Sequence, residues 1–233
     1  MPVSISPAQP KDAVDIAALH VQAFSSNALM RAIYPTPAIW AALQGCVEEK
    51  ILADMKESKI TVLVAKHTDE AEVREEQGKT VGYAVWCHPI KAEEQDWKLP
   101  TWKLPEGTDW NVLKPWLAAA GKTVEEVIGH TPHYGRWWCY VLLHDPRCGL
   151  IGGLDLMWLA VSPDYSRMGI GTLLLRWGMD LCEKEGVPVY LDSTVEAAQT
   201  FYQKAGFIER GRIRLVVNGD MYEEVAFVYE PKR

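Results

Sequence analysis

Two periods organise the hydrophobic positions of this chain. Apolar residues recurring every three or four positions predict helices, and short runs of β-branched and aromatic residues predict strands. Val3-Ser-Ile5 alternates as a short strand. Asp12 stands where it can cap a helix with Ile16, Leu19, Ala23 and Phe24 on one face. Pro37 suits an early position of the next helix, through Trp40, Leu43, Val47 and Ile51. Residues 60–65 and 80–86 read as strands around a polar hairpin loop, 68–79, that contains Gly78.

The segment from about 88 to 150 is the least regular. Pro89, Pro100 and Pro105 interrupt it, with helices expected near 110–120 and from 123 towards 128. Trp97, Trp102, Trp110, Trp116, Trp137 and Trp138 all fall in it, and it reads as an insertion on the main sheet. The last third is cleaner. Residues 154–161 predict a strand and 162–168 a loop. Ile170, Leu173, Leu174, Trp177 and Leu181 form a helical stripe that Gly186 ends. A strand over 187–191, a short helix over 195–204 closed by Gly206, and strands 213–217 and 224–229 about the Asn218-Gly219 turn complete the chain. The expected fold is α/β (α+β) in a single domain over residues 1–233.

Composition narrows the function classes. The chain has 233 residues, 48% hydrophobic and 24% charged, enough to bury a core. The net charge of -7 disfavours binding to a nucleic-acid backbone. No run of about 18 apolar residues exists, so neither a membrane partner nor a spanning segment is expected, and the first residues do not read as a secretory signal. Five cysteines without a Cys-x-x-Cys pair predict reduced thiols in an intracellular, cytoplasmic protein, the nucleus remaining open. His130, His133 and Cys139 do not form a convincing ligand set, and no metal is expected.

The candidate chemistry starts at Arg167-Met168-Gly169-Ile170-Gly171-Thr172. Glycines between a buried strand and a helix start let backbone N–H groups reach an anion, at the positive end of the helix dipole. A dinucleotide fold wants Gly-x-Gly-x-x-Gly directly after the strand and an acid about 20 residues on. Asp192 fits the acid, but Leu174 holds the third glycine position and a whole loop intervenes. A Walker loop is excluded, since no Gly-Lys-Ser/Thr is present.

The sequence closely resembles the GNAT N-acetyltransferases. Trp158-Leu-Ala-Val-Ser-Pro-Asp-Tyr-Ser-Arg-Met-Gly-Ile-Gly-Thr172 looks like that family's strand, pyrophosphate loop and helix start. Phe201-Tyr-Gln-Lys-Ala-Gly-Phe207 looks like its second signature, and Ala13-Val-Asp-Ile-Ala-Ala-Leu-His-Val-Gln-Ala-Phe24 resembles its first helix. The specific match covers about residues 154–210. It implies a mixed, mostly antiparallel central sheet splayed at its centre, flanked by helices, with the tryptophan-rich insertion over about 88–150.

The resemblance also implies acetyl-CoA as co-substrate. The strand edge at Leu159, Ala160 and Val161 would pair with the pantetheine arm. The backbone of Ser166, Arg167, Met168, Gly169, Ile170, Gly171 and Thr172 would surround the pyrophosphate, and Tyr202 would act as general acid on the departing thiolate. The family's usual Arg/Gln is replaced by Ser166, with Arg167 next to it, and the Asn often found near Val195 is absent.

Candidate bases for the acceptor amine, read from predicted strand ends, are Asp155, Asp192 and His88. Arg210, Arg212 and Arg214 share a face of an extended segment, either to meet a CoA phosphate or an acidic acceptor, or to guard a strand edge. The tryptophans either wall an acceptor pocket or serve as packing. The expected function is N-acetylation of a small-molecule amine or a peptide by direct attack. The alternatives are a CoA-binding sensor or scaffold without catalysis, and a nicotinamide-dependent enzyme. The oligomeric state is open.

Overall fold

The computed structural model describes residues 3–68, 78–89, 94, 97–128 and 154–232. Its seven-stranded sheet has the order β1-β2-β3-β4-β5-β7-β6. The strands are β1 (Val3–Pro7), β2 (Ile60–His67), β3 (Lys79–Cys87), β4 (Leu154–Val161), β5 (Val189–Thr194), β6 (Ile208–Val217) and β7 (Asp220–Tyr229). Every neighbouring pair is antiparallel except β4 and β5. The mixed, mostly antiparallel sheet expected from the sequence is present.

Helices cover both faces, because the strands alternate apolar residues to each side. On one face lie α1 (Ala13–Phe24), α2 (Ala28–Ile33), α3 (Pro37–Asp54) and α4 (Trp110–Ile128). Ile16, Leu43 and Leu117 join Tyr83 and Val85 of β3 there in one buried apolar cluster. The other face carries α5 (Ile170–Glu185) and α6, a stretch over residues 195–205 with a π-helical turn at Ala198–Tyr202. Ile170, Leu174 and Leu175 of α5 pack there against Ala84 and Trp86.

One irregularity matters for the site. β3 pairs Val85 with Trp158 but Trp86 with Leu156, so Met157 is an extra residue on β4. A bulge of this kind shifts the alternation of side chains. Leu156 therefore joins the α5 side, whereas Trp158 and Ala160 join the α1 side.

Several expectations are corrected. Asp12 does precede α1, but its carboxylate does not cap it. The Oδ2 atom accepts the Gln9 N–H at 2.8 Å, and Oδ1 pairs with Lys66 at 2.6 Å. The two helices expected near 110–128 are one, α4, with Pro115 inside it. Apolar burial of Leu113, Trp116, Leu117 and Val124 along a single stripe sustains the helix across the proline. Helix α2 was not anticipated; Asn27 caps it, its side chain accepting the Met30 N–H at 2.9 Å. Leu173, placed in the apolar stripe of α5, is 42% exposed. The last two strands extend beyond the expected runs because each pairs along nearly its whole length with the other. Among the described residues no helix is long and apolar enough to cross a membrane.

Candidate active site

Between β4 and α5 the chain turns through Pro163–Tyr165 and then through two left-handed residues, Arg167 at φ +61° and Gly169 at φ +81°. Such a φ is rare for a residue with a Cβ, and glycine adopts it without penalty. Gly169 is the N-cap of α5 and no side chain caps the helix. The first intrahelical bond runs from the Leu173 N–H to the Gly169 carbonyl, at 3.0 Å. The amides of Ile170, Gly171 and Thr172 thus lack partners within the helix. A Cβ built on Gly169 meets nothing within 4 Å, so the space at the helix start is open. At Gly171 the same Cβ would lie 3.3 Å from Cζ of Phe201, so the glycine lets that ring close against the loop. Unpaired amides, open space and a positive dipole end are the features that favour an anion at a helix start. Ile170 is buried beneath it, and Arg167, Met168 and Thr172 are exposed. The Ser166 hydroxyl donates to the Pro163 carbonyl.

The second component is a gap in the sheet. β4 and β5 pair only at Leu154 with Val189 and Asp155 with Tyr190. Beyond that point the edge of residues 156–161 has no strand partner on the β5 side among the described residues. It includes Leu159, Ala160 and Val161, and its backbone groups can receive an extended amide chain as an added strand.

Tyr202 is the third component. It ends the π-helical turn, and its ring packs against Phe201 at 4.8 Å, Phe207 at 5.9 Å and Phe227 at 6.0 Å between centroids. The residue is 8% exposed. Its hydroxyl has no hydrogen-bond partner among the described residues, and it lines a cavity at the gap. Burial pushes its pKa above the ordinary phenol value, so the hydroxyl keeps its proton.

That cavity has a volume of about 230 Å³ and opens between the α1 side of the sheet, α2 and α4. Trp102, Trp116, Trp158, Phe24 and Tyr34 supply aromatic walls. His20 braces two of these, with ring centroids 4.7 Å from Phe24 and 4.8 Å from Trp158, while its Nδ1 sits 2.6 Å from the Tyr83 hydroxyl.

Asp155, Asp192 and Glu224 enter from three adjacent strands, β4, β5 and β7. Tyr190 donates to Asp192 at 2.6 Å. Tyr222 donates to one oxygen of Glu224 at 2.7 Å and the Trp116 indole to the other at 3.0 Å. Asn27 in turn donates to the Tyr222 hydroxyl at 3.0 Å. Burial raises all three carboxyl pKa values: that of Asp192 to about 8, with the charge of Glu224 adding to it, and that of Asp155 well above the usual range, with Asp192 adding to it.

Of the residues singled out in the sequence, Leu159, Asp155, Asp192 and Tyr202 meet at this cavity. His88 does not. Its Nε2 lies 2.7 Å from the Thr61 hydroxyl and its ring packs on Trp177 of α5. The arginines of β6 are held by acids: Arg210 by Glu230, Arg212 by Glu209 and Glu223, and Arg214 by Glu223. β6 is the edge strand, so these pairs guard an edge. Trp102 and Trp116 do wall the cavity, whereas Trp137, Trp138, His130, His133 and Cys139 lie outside the described residues. Glu224 was missed. Its signal was a charged residue in phase with Ala226 and Val228, on a face that is otherwise apolar.

Residues 116–209 match the family model of an acetyltransferase (GNAT) domain. Over 41 residues the chain is 56% identical to the probable acyltransferase SID5 of Ajellomyces capsulatus, a match spanning 18% of this chain and 29% of that protein's length. A Corynebacterium glutamicum structure described as histone acetyltransferase HPA2 and related acetyltransferase is 20% identical at a TM-score of 0.59, covering 100% of this chain and 98% of that one. Arabidopsis thaliana NAA60 with a bisubstrate analogue is 16% identical at a TM-score of 0.53, covering 99% of both chains. The same protein with acetyl-CoA gives 16% and 0.51, covering 98% of both. These structures share the fold with this chain.

Proposed function

We propose that this chain, whose residues 116–209 match a GNAT acetyltransferase domain model, is an acetyl-CoA-dependent N-acetyltransferase that acts by direct transfer to an amine. The observation that carries the reading is the parting of β4 and β5 after Asp155 and Tyr190. It leaves an unpaired strand edge beside the cavity that Tyr202 lines with its protonated hydroxyl, and the same strand leads on into the open helix start of α5.

The chain's groups fit the co-substrate. The amides of Ile170, Gly171 and Thr172 would hold the pyrophosphate, and the edge at Leu159, Ala160 and Val161 would hold the arm. Acetyl-CoA supplies an acyl group attached to a thiol that can leave. The protein's part is to orient and to move protons. A carboxylate of Asp192 or Asp155 takes a proton from the acceptor nitrogen, whose lone pair then forms the C–N bond as the C–S bond breaks. Tyr202 donates its phenolic proton to the sulfur, and the nitrogen's second proton restores the phenol through water. An Asp192 pKa of about 8 suits this task, because a base works best with a pKa near the operating pH.

A second reading, a CoA-binding module that acylates nothing, is favoured by one feature. The loop lacks the family's Arg/Gln, and the Ser166 hydroxyl in its place is turned onto Pro163. The nicotinamide reading loses its acid, since Asp192 is on the α4 side of β5 with Tyr190 and the glycine loop opens α5 on the other. Isothermal titration with acetyl-CoA tests both remaining readings, and the absence of heat at millimolar ligand overturns them together. Steady thiol release with an amine then separates enzyme from module.

A further inference from the structure

The cavity beside Tyr202 carries a chemical bias that acetyl transfer alone does not require. Asp155, Asp192 and Glu224 line it, and no Lys, Arg or His is among the described lining residues. Buried carboxylates are expensive unless a cation accompanies them. The arginines of β6 are engaged by Glu209, Glu223 and Glu230 and do not reach in.

The hydrogen bonds show which acceptor capacity is spent. Both oxygens of Glu224 accept a bond, from Tyr222 and Trp116, which fixes the carboxylate in place. Asp192 accepts one bond, on Oδ1 from Tyr190. Asp155 is 9% exposed and accepts none among the described residues, although it lines the cavity. An acid that is nine-tenths buried, unpartnered and set beside two others lacks the partner that would offset its burial.

A metal ion is a poor fit. Among the described residues no group of three or more His, Cys, Asp and Glu could hold one. Two carboxyl groups are enough for an ammonium, whose N–H donors leave one nitrogen in three directions and can reach separate acceptors. The rest of the cavity is flat and apolar, with Trp102 and Trp158 at 5.7 Å in an edge-to-face pair and Phe24 beside Trp158. Aromatic faces also attract cations. A cavity of about 150 Å³ holds a benzene ring, so about 230 Å³ has room for an arylalkylamine.

We propose that the acceptor is a small primary monoamine with a flat apolar body. Its ammonium docks on Asp192 and Glu224, its body lies against Trp102 and Trp158, and an acceptor bearing its own carboxylate is rejected by the three acids. The word acceptor rests on the acetyl-transfer reading; the binding of the cation does not.

The test is binding measured by ligand-observed NMR and titration, without acetyl-CoA, on the full chain. The probes are phenethylamine, 3-phenylpropionate, 2-phenylethanol and phenylalanine, which share one aromatic body and differ in charge. The expected result is phenethylamine binding at least tenfold tighter than the other three. Glu224→Gln, and separately Asp192→Asn, should each weaken it at least tenfold. Far-UV circular dichroism and acetyl-CoA affinity should be retained in Glu224→Gln. Equal binding of the propionate or of phenylalanine, or full phenethylamine affinity in both variants, overturns the proposal. If Glu224→Gln is misfolded, Asp192→Asn and the probe series decide it. Absence of acetyl-CoA binding with phenethylamine binding intact overturns the acetyl-transfer reading and leaves this one standing.

Discussion

The indole of Trp86 lies flat on the backbone of Gly178. A Cβ built on that glycine would fall 2.3 Å from Cη2 and 2.5 Å from two further ring carbons. Trp86 is fully buried on β3, so it has no room to retreat. Gly178 thereby sets how closely α5 rests on the sheet. Gly178→Ala should cost about 1–3 kcal/mol through overpacking, against the usual gain of helix propensity from Ala. Chemical denaturation checks this, and unchanged stability would mean that the helix can lift freely.

Gly171→Glu places a Cβ where 3.3 Å already separates that position from Phe201, and adds a negative charge beside the amides of α5. Acetyl-CoA binding should be lost while the thermal melt moves by only a few degrees. Titration calorimetry on wild type and variant reads the difference.

Tyr202→Phe removes one hydroxyl and keeps the ring contacts to Phe201, Phe207 and Phe227. Turnover should fall about 100-fold, the scale of a lost proton donor. The acetyl-CoA dissociation constant should stay within a factor of about two. Wild-type turnover in this variant removes Tyr202 from its role.

Asp192 gives a pH signature. Its carboxyl is influenced by Asp155 from β4, Glu224 from β7 and Tyr190 on its own strand, and burial raises its pKa to about 8. As a base it acts only when ionised, so kcat/KM should rise with pH through about 8, and Asp192→Asn should lose that limb. Stability should move in the opposite sense. A carboxyl whose pKa is higher folded than unfolded binds more protons in the native state between those values. Its stabilising contribution is complete below about 3.9, the unfolded value, and is lost as pH rises through about 8. Urea midpoints at pH 6 and pH 9 should therefore fall less in Asp192→Asn than in wild type.

Much of this was legible before any coordinates. The stripe through Ile170, Leu174 and Trp177, the strand at Leu154–Val161 and the glycines at 169 and 171 are local patterns, and local patterns survive in any compact fold. Tyr202 was found by its neighbours in sequence. Glu224 was not, because its role depends on Trp116 being 108 positions away in the chain and 3.0 Å away in space.

The sequence by itself determined the stripe of α5, the strand before it and the glycines between them, since each follows from side chains within a few positions of one another. Tertiary structure alone decided the cavity. Asp155 and Trp158, three positions apart, would face opposite sides of a regular strand; the extra residue Met157 puts both in the wall of one cavity. The parting of β4 from β5 then opens that cavity to Tyr202. Neither feature is written in a local period, because a bulge and a split are properties of how two strands pair.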